Sequence, residues 1–115
     1  MISDMYSIAV VVSDGKKALE WYRDKLGFKV VNGEGHWILV APKDSGTAIH
    51  LCEADQTEPG NTGIRFSVDD VDATFKELSA KGVEFVHEPE EKYGTRRAVF
   101  KDPDGNEFWL FPQQA

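Results

Sequence analysis

His50 and Cys52 stand two residues apart in the run Ala48-Ile49-His50-Leu51-Cys52, and Glu107, Trp109 and Phe111 keep the same spacing near the other end of the chain. In an extended strand, residues at i and i+2 share a face about 6.5–7 Å apart. His50 is therefore a candidate general base, with an imidazole suited to proton transfer near neutral pH, and Glu107 a candidate acid–base partner. Cys52 beside it suggests a thiol–imidazole pair, but that spacing does not bring the two into clear hydrogen-bond reach and no third group orients them. A small buried hydrophobe is the plainer reading of the thiol. Trp109, Phe111 and Trp37 have the planar faces to stack on an aromatic or apolar ligand, or else to close the core or a subunit contact. Arg65 interrupts a strand, where it either clamps an anionic ligand or forms a static bridge with a carboxylate such as Glu107. Arg96 and Arg97 are adjacent, so alternation sends their side chains to opposite faces.

The elements that carry these residues occur twice. Tyr6–Val12 is a β-branched strand; Ser13 or Asp14 caps a helix with Ala18, Trp21, Tyr22 and Leu26 at helical spacing, and Gly27 ends it. Strands follow at Phe28–Val31, Trp37–Ala41 and Thr47–Cys52, joined by turn-forming segments. After the polar stretch Thr57–Asn61 comes strand Gly63–Val68, then Asp69 and Asp70 before a helix with Val71, Thr74, Phe75 and Leu78. Gly82 stops it, and strands follow near Val83–His87, Arg96–Lys101 and Asn106–Phe111. Tyr93-Gly94-Thr95 reads as a flexible lip. At one offset Ile8, Val10, Val12 and Asp14 fall on Ile64, Phe66, Val68 and Asp70; at a second, Val40, Gly46, Ile49 and Leu51 fall on Val99, Gly105, Phe108 and Leu110. Two ordered matches of this kind indicate an internal duplication.

Alternation assigns Ile8, Val10, Val12, Ile49 and Leu51 to the helix-packed face of the first unit, and Ile64, Phe66, Val68, Phe108 and Leu110 to that of the second. The opposite faces carry Ser7, Ala9, Val11, Ala48, His50 and Cys52 in one unit, and Gly63, Arg65, Ser67, Glu107, Trp109 and Phe111 in the other. Such a mixed face suits a ligand cleft better than a core.

The 115 residues are expected to form one domain, with units spanning about 5–54 and 61–113. A chain this short buries a limited fraction of its surface, so a homodimer is expected. A net charge of -7, from 20 acidic and 13 basic residues, argues against nucleic acid as partner. No stretch approaches the roughly 20 apolar residues of a membrane span. Met1–Met5 has no signal-peptide character, and the single cysteine forms no intrachain disulfide, so a cytoplasmic setting is expected.

The strand, the Asp-capped helix ending Leu26-Gly27-Phe28, the later turn Lys101-Asp102-Pro103-Asp104-Gly105-Asn106 and the repeat together resemble the vicinal-oxygen-chelate superfamily. Glyoxalase I, extradiol dioxygenases, fosfomycin-resistance enzymes and bleomycin-resistance proteins belong to that group. The resemblance implies an α+β fold of two tandem βαβββ modules whose curled mixed sheets form a cleft, usually in a dimer. It also implies four metal-ligand positions in the members that use a metal, which here hold Ser7, Gly63, His50 and Trp109. Only His50 among them is a credible ligand, and one imidazole does not hold a divalent ion tightly. The expectation is a protein that binds a small, partly aromatic molecule through Ser7, Trp37, His50, Cys52, Arg65, Trp109 and Phe111, without cofactor or metal. Whether it is an enzyme stays open. The alternative is a glyoxalase-like lyase or isomerase, or a dioxygenase, with a relocated divalent metal or a metal-free acid–base site around His50 and Glu107. A third reading, a partner or sensor module, finds little support in the sequence.

Overall fold

A computed structural model describes residues 1–113 of the chain. It divides into two compact units, Met1–Thr57 and Glu58 onward. The first holds β1 (Ser7–Val12), α1 (Gly15–Leu26), β2 (Lys29–Asn32), β3 (Leu39–Ala41) and β4 (Ala48–Glu53). The second repeats the series as β5 (Gly60–Val68), α2 (Val71–Ala80), β6 (Glu84–Lys92), β7 (Thr95–Lys101) and β8 (Asn106–Pro112). Both sheets are mixed and have the same order, β1-β4-β3-β2 and β5-β8-β7-β6. In each, first and last strands pair in parallel and the remaining neighbours are antiparallel. The duplication read in the sequence is thus a duplication of topology.

Local chemistry sets the helix ends. Asp14 accepts from Lys17 N at 3.1 Å and Asp70 from Ala73 N at 3.0 Å, each satisfying one free donor of the first turn. Gly27 terminates α1 in a left-handed conformation; α2 caps at Lys81, one residue before Gly82, and Val83 N closes the turn on Leu78 O. α1 buries Ala18, Leu19 and Tyr22 against the face carrying Val10, Val12, Ile49 and Leu51, all of them buried; Ile8 is half-buried. In the second unit Phe66, Phe100 and Phe108 stack, with ring centroids 5.3–6.3 Å apart, and Phe85 leans on Phe100 at 5.8 Å. Each ring removed from water contributes about 1.5–3 kcal/mol.

Several boundaries differ from the sequence expectation. β3 begins at Leu39, so Trp37 lies outside the strand. β6 runs on through Glu88-Pro89-Glu90-Glu91 to Lys92, where a proline is admissible because β6 is the sheet's edge. Tyr93-Gly94 forms the tip of the β6–β7 hairpin. Lys92 pairs with Thr95, and the two intervening residues have φ of 55° and 77°, the double positive φ of a tight hairpin turn.

The turn before β8 is the most specified in the chain. Gly105 has φ +86°, and a Cβ there would stand 2.8 Å from that of Pro59. Gly105→Ala combines a left-handed strain with a steric clash and is expected to cost about 1–3 kcal/mol. The check is a urea transition with a lowered midpoint and an unchanged slope.

Candidate functional site

The helix-free face of the first sheet is ordered by register. Ala9 lies beside His50, which in turn lies beside Leu39; Ser7 pairs with Ala48 and Val11 with Cys52. Leu39, Ala41 and Ala48 form a buried apolar patch on it. Beyond them the loop ahead of β3 is tied by Asn32, whose Nδ2 donates to Trp37 O at 2.5 Å and Glu34 O at 3.2 Å. That bonding lays the Trp37 indole on the His50 imidazole, with centroids 4.9 Å apart and planes 25° from parallel. Trp37 nonetheless stays 61% exposed. Trp37, His36, His50, Cys52, Glu53 and Lys16 line an open hollow of about 540 Å³.

His50 Nε2 sits 3.0 Å from His36 O. A carbonyl only accepts, so Nε2 carries a hydrogen and donates it. Glu53 closes the hollow's rim by accepting from Gly15 N at 2.7 Å, which fixes the start of α1 against the end of β4. Cys52 is a free, half-buried thiol.

In the second sheet Trp109 occupies the helix-free face, flanked by Arg65 on β5 and Arg97 on β7. The Arg65 guanidinium lies 6.0 Å from the Trp109 centroid and 5.6 Å from that of Phe111; that of Arg97 lies 5.0 Å from Trp109. These are cation–π distances. Phe111 meets Trp109 edge-to-face at 5.8 Å. The indole is held by its Nε1–H, which donates to Asn61 Oδ1 at 3.1 Å. Asn61 Oδ1 also accepts from Gly63 N at 2.9 Å, where β5 departs from regular pairing with β8.

The adjacent arginines divide as alternation requires. Arg96 turns to α2 and donates twice to Asp72, at 2.7 and 3.0 Å, which holds the Asp72 carboxyl below its ordinary pKa. Arg97 is buried on the opposite face, donating from Nη2 to Glu90 at 2.8 Å, while its Nε has no partner. A static Arg65–Glu107 bridge is absent. Glu107 lies opposite Lys101 and Asn61, and Arg65 opposite Trp109.

Asn61 and Arg97 hold Trp109 through contacts that strand alternation does not reveal. The Asn-Thr-Gly step at 61–63 was the available signal, because an asparagine side chain readily bonds the amide two residues on.

The metal-ligand positions implied by the family resemblance do not fit a divalent ion. They offer a hydroxyl (Ser7), no side chain (Gly63), an indole whose N–H is already donated (Trp109), and the single imidazole of His50. Among the described residues no three His, Cys, Asp or Glu side chains gather where an ion could sit. His50 and Cys52 belong to the first unit and Glu107 to the second.

Comparison with known proteins agrees with this architecture. The family model for the glyoxalase/bleomycin resistance protein/dioxygenase superfamily matches residues 5–110. The uncharacterized protein YetH of Bacillus subtilis (strain 168) is 31% identical, with 96% of this chain and 98% of YetH covered. A superfamily member from Sphaerobacter thermophilus DSM 20745 superposes with a TM-score of 0.87 at 32% identity, covering 97% of this chain and 98% of that one. TnmS3, an antibiotic binding protein from Streptomyces sp. CB03234, superposes with a TM-score of 0.86 at 33% identity, over 98% of both chains.

Proposed function

Since this chain belongs to the glyoxalase/bleomycin resistance protein/dioxygenase superfamily, we propose that it binds a small, partly aromatic molecule on the helix-free faces of its sheets, without a metal. The observation that carries this reading is Trp109. It stands where metal-using members place a ligand, yet its N–H is engaged by Asn61 and its ring is flanked by Arg65, Arg97 and Phe111. An indole fixed at one end and only half-buried is suited to stacking through the part of its ring left uncovered. Trp37, laid on His50, supplies a second such surface. The similarity to an antibiotic-binding protein supports the same class of ligand. A sequestering protein needs affinity and stoichiometry but no reactive group, and a homodimer is its proposed working form.

Elemental analysis after dialysis, combined with thermal shifts, tests the proposal. The expected result is no stoichiometric metal, no stabilisation by added divalent ions, and stabilisation by planar aromatic compounds. Stoichiometric metal retained by the protein and lost in His50→Ala would overturn it.

One observation favours a second reading, a metal-free acid–base enzyme: the imidazole of His50, fixed at Nε2 by His36 O, lines the hollow. That reading requires turnover that disappears in His50→Gln while ligand affinity persists.

A further inference from the structure

We propose that the aromatic molecule stacked on Trp109 carries an acidic group, a carboxylate or an acidic phenol, and that Arg65 is the residue that selects for it. This rests on the reading of Trp109 as a ligand wall and adds the charge of the ligand. Three of the chain's four arginines are neutralised: Arg23 by Asp24, Arg96 by Asp72 and Arg97 by Glu90. Among the described residues Arg65 has no carboxylate within 4.0 Å, although the chain carries 20 acidic side chains. Its guanidinium rests instead against two aromatic rings, which orient the fork without occupying its N–H groups. Its strand neighbours on that face are Gly63 and Ser67, both small, so space adjoins the fork.

The setting favours an anion further. Arg97 reaches Trp109 from the opposite neighbouring strand and has a buried Nε–H without a partner. Glu90 balances the charge of Arg97, so among the described residues Arg65 is the guanidinium beside this indole that no carboxylate offsets, on a protein whose net charge is negative. A ring stacked beside Trp109 brings an acid on its edge to Arg65, where a bidentate pair forms. A neutral ring of the same shape makes the stacking contact alone.

The test compares 2-naphthoate with 2-naphthamide, which differ in charge but hardly in shape. Binding is followed through the Trp109 indole N–H resonance, assigned by its disappearance in Trp109→Phe. Naphthoate is expected to bind at least about 10-fold tighter than naphthamide. Arg65→Gln is expected to abolish that preference by weakening naphthoate alone, and added salt to narrow it. Equal affinity for the two probes, or an Arg65→Gln variant that weakens both alike, overturns acid selection while leaving ring binding intact. If neither probe moves the Trp109 resonance, ring binding fails as well. If apparent naphthoate affinity falls as protein concentration rises, a second copy of the chain competes for this face, and the proposal fails in favour of a subunit contact.

Discussion

Asp102→Ala lowers the melting temperature by about 10–20 °C, corresponding to a loss of about 2–4 kcal/mol. The side chain is 3% exposed and works as an internal cap. Its Oδ1 accepts from Asp104 N and Asn106 N, and its Oδ2 from Asn106 Nδ2, all at 2.9 Å. Alanine removes the buried acceptor that Asp104 N, Asn106 N and Asn106 Nδ2 share, and the loss of such a buried hydrogen-bond network is among the largest single-residue effects. Asp102→Asn separates shape from chemistry. It keeps one acceptor but turns an N–H toward another donor, so its loss falls between those of the wild type and the alanine variant. Calorimetry on the three proteins reads the order directly, and an Asp102→Ala transition within about 3 °C of the wild type would contradict it. The effect reaches the site because this turn sets the start of β8, and with it the register of Glu107, Trp109 and Phe111.

Trp109→Ala weakens binding of planar aromatic ligands by about 10–100-fold, the range expected when a central aromatic anchor is truncated. Stability changes much less, because Trp109 is only half-buried and its loss lets water reach the uncovered Arg97 Nε. Trp109→Phe retains stacking but loses the bond to Asn61 and recovers a large part of the affinity. Titration calorimetry against one planar ligand, with circular dichroism as the fold control, gives both quantities. Unchanged affinity in Trp109→Ala would remove this ring from the site.

What was legible in the sequence was local. Asp14 and Asp70 announced the helix starts because a cap acts within three residues, and strand alternation placed His50, Cys52, Trp109 and Phe111 on the helix-free faces. Duplication fixed the topology because each half reports on the other. The rest depends on contacts remote in sequence. Trp37 continues the apolar run of β3 in the sequence, but Asn32 bonds its carbonyl and holds it outside the ladder. Strand alternation alone permits an Arg65–Glu107 bridge, whereas the irregularity around Gly63 sets Arg65 beside Trp109. β6 reads short in the sequence because Glu88-Pro89-Glu90-Glu91 has no apolar alternation; an edge strand closed by a tight turn needs none.

The parallel pairing of first and last strands carries a consequence for how each unit assembles. Ser7 pairs with Ala48 and Arg65 with Trp109, across roughly forty residues of intervening chain, so these ladders have the costliest loop closure within their units. The hairpins β3–β4, β6–β7 and β7–β8 join neighbouring segments and close over short loops. Candidate binding residues thus sit on the seam that forms late, with Ser7 and His50 on its two sides in one unit and Arg65 and Trp109 in the other. During synthesis neither candidate binding face exists until the last strand of its unit has left the ribosome.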